Sequence, residues 1–103
     1  MELGGFVFHG IPAAHNTIER DDAGRHRLLG YVIECGPWRI DHSGDTLHFD
    51  GMEDLLRPFR VHVALLPING NSPERRVAGN LDGREAARLA KAIGAGVVIP
   101  CHY

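Results

Sequence analysis

Cysteine is scarce in this chain. Cys35 and Cys101 are its only two, far apart and outside any CxxC spacing, so neither a disulfide framework nor a zinc ribbon is expected. No block of like charge occurs either. The arginines are scattered among acids and the formal charge is -2, which excludes the basic stripe of a nucleic-acid or anionic-membrane binder. The start, MELGGFVFHG, has no basic segment followed by an apolar core, and no apolar run reaches the length of a bilayer span. Free thiols without a leader or a span predict a cytoplasmic protein acting on small molecules. Low-complexity bias is missing as well, and 44% hydrophobic with 23% charged residues predicts a packed fold.

At 103 residues the chain makes one small domain at most, with a modest buried fraction. Against that size, seven histidines are many. Histidine is the commonest metal ligand and the side chain that changes charge near neutral pH, so the excess directs attention to metal chemistry.

The apolar pattern divides the chain into short elements. FVFHGIP, closed by Pro12, predicts a strand ending near Gly10, with His15 just past it. Residues 16–27 are polar, with turn chemistry at Asp21, Asp22 and Gly24, and predict an exposed loop. Leu28 to Cys35 and Trp38 to Asp41, joined at Gly36-Pro37, predict a hairpin whose second strand delivers His42-Ser43-Gly44-Asp45-Thr46. Met52, Leu55, Leu56 and Phe59 have helical spacing, with Asp50 placed to cap the helix. VHVALLPI, at Val61 to Ile68, predicts a central strand covered on both faces. Asn69 to Asn80 is a loop longer than most connections, a length associated with function. Asp82 and Glu85 form a capping box for a helix with Ala86, Leu89, Ala90 and Ile93 on one face, stopped by Gly94. Ala95 to Pro100 predicts a second buried strand, ending in Cys101, His102 and Tyr103. The order strand, hairpin, helix, strand, helix, strand implies an α/β layered domain, and one that is incomplete.

His15, Asp45 and His102 each follow directly on a predicted strand, where side chains from a rigid sheet converge at one edge. Imidazole nitrogen with carboxylate oxygen suits Zn²⁺, Mn²⁺ or Fe²⁺. A single histidine in such a place is more often a loop or packing residue, and spacing alone does not decide between the two.

Four blocks add to this: PAAHNT at 12–17, HSGDT at 42–46, ALLPING at 64–70 and VIPCHY at 98–103. Together, in this order, they resemble the second half of metallo-β-lactamase-fold hydrolases, especially the branch similar to L-ascorbate-6-phosphate lactonase. The resemblance covers essentially the whole chain. It implies the C-terminal half of an αββα sandwich with a site for one or two divalent ions, Zn or Mn, at a sheet edge. His15 would match the single histidine of the first metal site, Asp45 the carboxylate bridging both metals, and His102 the last histidine of the second. A metal-held hydroxide would attack a lactone or related ester; a phosphodiester is the alternative substrate on the same fold.

The chain departs from that family in lacking the HxHxDH signature that supplies the remaining ligands upstream. It also stops at Tyr103, flush with the last strand. Both features predict a fragment that is inactive alone and needs a homo-oligomer or a complementary N-terminal half. His42, Ser43 and Thr46 are candidates to orient Asp45, with turn-shaping as the competing role. Arg75 and Arg76 are candidate clamps for a substrate phosphate or carboxylate, and Asn69 a substrate contact, although exposed loop residues are usually only solvated. Tyr103 is a candidate oxyanion donor. His9, His26, His48 and His62 lack the strand-end placement, and strand alternation turns Cys101 away from the metal.

Overall fold

The apolar stretches pair into one six-stranded sheet in a computed structural model that describes residues 2–15, 17–18, 20–25, 28–71 and 79–102. In chain order the strands are β1 (Glu2–Leu3), β2 (Phe6–Pro12), β3 (Ala14–His15), β4 (Thr17–Ile18), β5 (Leu29–Cys35), β6 (Trp38–His42), β7 (Val63–Pro67) and β8 (Val97–Cys101). Helix α1 (Met52–Leu56) with a 3₁₀ turn at Arg57–Phe59 links β6 to β7, and helix α2 (Gly83–Ile93) links β7 to β8. The sheet order is β1-β2-β5-β6-β7-β8, and β3 and β4 form a small separate ladder. The first four sheet strands are antiparallel, whereas β6, β7 and β8 run parallel through two helical crossovers.

Register sorts the side chains into two faces. One row across the sheet is His9, Val32, Asp41, Ala64 and Val98. Val32, Ala64, Ile11 and Leu66 on this face meet Met52 and Leu56 of α1 and Ala86, Leu89, Ala90 and Ile93 of α2 in the hydrophobic core. The adjacent row, Phe8, Ile33, Ile40, Val63 and Val97, belongs to the opposite face. There no second layer lies over the sheet among the described residues, and Trp38, Tyr31 and Ile99 stay exposed.

That one-sided packing corrects two expectations. β7 is an interior strand, with Ala64, Leu66 and Pro67 buried, yet Val63 and Leu65 on the open face are only half-buried. β8, expected to be buried, is the sheet edge, with Val97, Val98 and Ile99 all exposed. An apolar run reports the environment a strand is made for, and the described layers cover one face only.

The hairpin forms as expected, with Cys35 opposite Trp38 across Gly36-Pro37. Gly36 takes φ 57°, the glycine-first order of a tight II′ hairpin turn. Helix α2 also follows its signals: Asp82 accepts from the Glu85 amide at 2.8 Å and Glu85 accepts from the Asp82 amide at 3.0 Å. Gly94 closes the helix at φ 75°. Helix α1 is shorter than its pattern, because Pro58 tightens the chain into the 3₁₀ turn, and its cap is Gly51 rather than Asp50. No described helix is long and apolar enough to cross a membrane.

Candidate metal centre

Parallel pairing places the carboxyl ends of β6, β7 and β8 on one edge of the sheet, two inter-strand steps wide between β6 and β8. Beyond β6 the chain turns sharply to present Asp45; beyond β8 it presents His102. The two side chains meet across that gap, with His102 Nε2 2.8 Å from Asp45 Oδ1. Both are about half exposed. His102 holds φ 55°, a left-handed backbone costing a non-glycine residue on the order of 1 kcal/mol, and such strain concentrates at functional sites.

The turn that carries Asp45 is pressed against β5. A Cβ at Gly30 would lie 2.4 Å from the Ser43 carbonyl oxygen, so only glycine permits this approach. Thr46, fully buried beside Asp45, ties three segments together. Its Oγ1 accepts from the Ala14 amide at 2.9 Å and donates to the Leu47 carbonyl at 2.7 Å, and its own carbonyl accepts from the Leu81 amide at 2.7 Å. The Leu47 amide in turn donates to the Ala14 carbonyl at 2.8 Å. The segment bearing His15 is thereby anchored beside Asp45.

His15 and Asp45 line one pocket of about 230 Å³ with Ala13, Leu28 and Leu29. His15 Nδ1 lies 3.2 Å from the Gly79 carbonyl oxygen. A carbonyl only accepts, so Nδ1 is the protonated nitrogen in this contact. The three sequence candidates thus gather at one edge: Asp45 touches His102 and shares a pocket with His15. Among the described residues, however, no three His, Cys, Asp or Glu side chains stand close enough together to hold a cation by themselves.

Of the supporting candidates, His42 accepts from the Gly44 amide at Nδ1, 3.2 Å away, and Ser43 donates to the Gly44 carbonyl at 2.8 Å. Both shape the turn, and Thr46 bonds backbone rather than the carboxylate. Asn69 accepts from Asn80 Nδ2 at 2.8 Å, within the loop that flanks Gly79. Arg75, Arg76 and Tyr103 lie outside the described residues. The remaining described histidines have other partners: His9 pairs with Glu34 at 2.7 Å, His48 with Glu53, and His62 Nδ1 accepts from the Arg39 amide at 3.0 Å.

Sequence reasoning passed over two features. Gly79, in the long loop, is the partner of His15, and its only signal is a glycine closing that loop. Asp41, four residues before Asp45, is fully buried on the helix-covered face, and neither carboxyl oxygen has a hydrogen-bond partner among the described residues. Desolvation alone pushes its pKa from 3.8 to about 7. Its place in the His9–Val32–Asp41–Ala64 row could have been found from strand alternation, which puts Asp41 on the face opposite Ile40 and His42.

Comparison with known proteins fits this architecture. The model of the beta-lactamase superfamily domain matches residues 1–103. A UPF0173 metal-dependent hydrolase of Alkaliphilus metalliredigens is 42% identical over 95 residues, covering 89% of this chain and 39% of its own length. One from Methanoregula boonei is 35% identical over 106 residues, covering 100% of this chain and 45% of that protein. Among solved structures, Igni18, a metallo hydrolase from Ignicoccus hospitalis, superposes with TM-score 0.69 at 29% identity, over 96% of this chain and 38% of its own. The metallo-beta-lactamase fold protein YhfI from Bacillus subtilis superposes with TM-score 0.72 at 20% identity, over 99% of this chain and 38% of its own, a likeness of fold. The chain spans less than half the length of these relatives, and with its full-length match and its strand-edge cluster it belongs to the beta-lactamase superfamily domain family.

Proposed function

We propose that this chain contributes one side of the active site of a metal-dependent hydrolase, with His15, Asp45 and His102 as its ligands for a divalent cation, Zn or Mn. The observation that carries the reading is the Asp45–His102 contact, which joins the ends of two parallel strands at the sheet edge. Ligand atoms of one tetrahedral ion, at bond lengths near 2.1 Å, stand roughly 3.4 Å apart. The 2.8 Å pair therefore needs to open by little to share a cation.

The donor set fits in kind, two imidazoles and a carboxylate, and falls short in number. Such a cation, when bound, supplies Lewis-acid charge and lowers the pKa of water so that a nucleophile exists at neutral pH. The chain's own residues do the rest by position. Asp45 would hold the cation through its carboxylate, bringing the negative charge, and His102 would hold it through Nε2, the two atoms that face each other in the structure. His15 offers Nε2 with its proton held at Nδ1. The open apolar face of the sheet, bearing Phe6, Tyr31, Trp38 and Ile99, is read as the seat of a complementary N-terminal half that completes both the sandwich and the ligand set. The substrate class that best suits the reading is a lactone or related ester.

The test is metal content and hydrolysis by the chain alone and mixed with a separately made N-terminal half carrying HxHxDH. Stoichiometric metal and lactone hydrolysis only in the mixture support the reading. Turnover by the chain alone refutes the split site, and a mixture that cleaves phosphodiesters but not lactones refutes the substrate class.

A further inference from the structure

His15 stands on a two-residue strand at the rim of the site, where a ring has freedom to turn and to carry its neutral proton on either nitrogen. Free imidazole side chains favour the proton on Nε2, the tautomer whose Nε2 cannot ligate. Here three independent features of Gly79 act on the ring. Its carbonyl oxygen lies 3.2 Å from Nδ1. Its backbone takes φ 78°, the left-handed region. A Cβ at this position would lie 2.3 Å from His15 Nδ1, 2.6 Å from Cε1 and 2.7 Å from Cγ, inside the space the ring occupies.

The carbonyl itself is held in place. The Gly79 amide donates to Asn71 Oδ1 at 3.4 Å, Asn80 Nδ2 donates to Asn69 Oδ1 at 2.8 Å, and the Gly70 amide donates to the Leu81 carbonyl at 2.9 Å. The Leu81 amide then donates to the Thr46 carbonyl, the residue that also receives the Ala14 amide. Gly79 and His15 are therefore both referenced to the residue next to Asp45. Nε2 of His15 has no hydrogen-bond partner among the described residues.

We propose that Gly79 is the positioning residue of His15: its carbonyl takes the Nδ1 proton and its missing side chain admits the ring, so that Nε2 is presented as the ligating lone pair. The proposal rests on the reading of His15 as a metal ligand for its purpose, but its geometric content stands without a metal. Asn69, a candidate substrate contact, serves on this view with Asn71 and Asn80 to hold the Gly79 backbone in place. Support of this kind governs ligand tautomer and ring orientation at metal sites, and its loss lowers metal affinity by about 10–100-fold.

The experiment is long-range ¹H–¹⁵N correlation of the histidine rings in the metal-free chain, at a pH where His15 is neutral, with the signal assigned through His15→Gln. The expected result is a proton on His15 Nδ1; a proton on Nε2 overturns the proposal whether or not the chain binds metal. Gly79→Asn then separates space from backbone, because asparagine tolerates a left-handed φ but brings a Cβ. With far-UV circular dichroism unchanged, its His15 proton is expected on Nε2 and the Zn²⁺ affinity of its mixture with the N-terminal half about 10–100-fold lower; a variant with unchanged tautomer and affinity overturns the proposal. If Gly79→Asn does not fold, the wild-type tautomer decides alone. His15→Gln that binds Zn²⁺ as tightly as wild type would instead remove the ligand reading and leave the tautomer result in force.

Discussion

Asp41 makes the stability of this protein fall as pH rises, opposite to the usual effect of a carboxylate. Its side chain is fully buried on the helix-covered face, abreast of Val32 and Ala64, with both oxygens unpartnered among the described residues. Burial raises its pKa from 3.8 to about 7. The unfolded chain gives up the proton near pH 4 while the native state keeps it to about pH 7, so between these values the native state binds more protons. Unfolding then becomes easier with each step in pH, and the slope vanishes above about pH 7. At about 1.4 kcal/mol per pKa unit, a shift of about three units amounts to roughly 4 kcal/mol of lost stability by pH 8, against roughly 2 kcal/mol at pH 5. Asp41→Asn keeps the shape and cannot ionise. Urea denaturation of wild type and Asp41→Asn at pH 5 and pH 8 should show the variant gaining on wild type by roughly 2–3 kcal/mol, on the order of 2 M in midpoint at the slope expected for a chain this size. Taking the difference cancels the other carboxylates, which both proteins share. A difference that does not change with pH would refute the assignment of a neutral, buried acid.

Three further outcomes follow from the geometry. Gly30→Ala forces a Cβ into the Ser43 carbonyl and should displace the turn bearing Asp45, at about 1–3 kcal/mol of stability measured by thermal melting. Its metal affinity in the mixture with the N-terminal half should fall as well, by calorimetry. Asp82→Ala removes one side of the α2 capping box and should cost about 1 kcal/mol in the same melts, without touching metal affinity. Ile99→Lys, on the exposed edge strand, should leave the melting temperature of the chain within about 4 °C, since surface changes usually stay within ±0.5 kcal/mol, and should abolish co-purification with an N-terminal half. Retained co-purification would place the complementary surface elsewhere.

Much of this arrangement was legible because its signals are local. The capping box of α2, the Gly36-Pro37 turn and the strand-end positions of Asp45 and His102 depend on residues within a few positions of one another. What escaped depends on contacts between distant segments. Nothing in Val97–Ile99 states that β8 is an edge, since apolar content is the same for a buried strand and for one whose cover is another piece of protein. Met52 to Phe59 carry one helical period, yet Pro58 divides them and Gly51 displaces Asp50 from the cap. Asp41 sits in a strand of ordinary pattern and becomes unusual only when its face of the sheet is buried in the core. The partnership of Gly79 with His15 spans 64 positions and leaves no local mark.

The parallel arrangement of β6, β7 and β8 also sets an order of events. Asp45 and His102 are far apart in the chain, and their contact forms only after two crossovers have closed, the second passing through α2. Non-local, parallel strand pairing is slow relative to forming hairpins or helices. The antiparallel β2–β5–β6 segment therefore assembles early, and β8 docks late against β7. Under the proposed reading, a cation held by Asp45 and His102 beside the complementary half would report the finished fold: when the chain refolds in the presence of that half, the metal signal should lag the recovery of helical structure, and partly folded species should be silent to it.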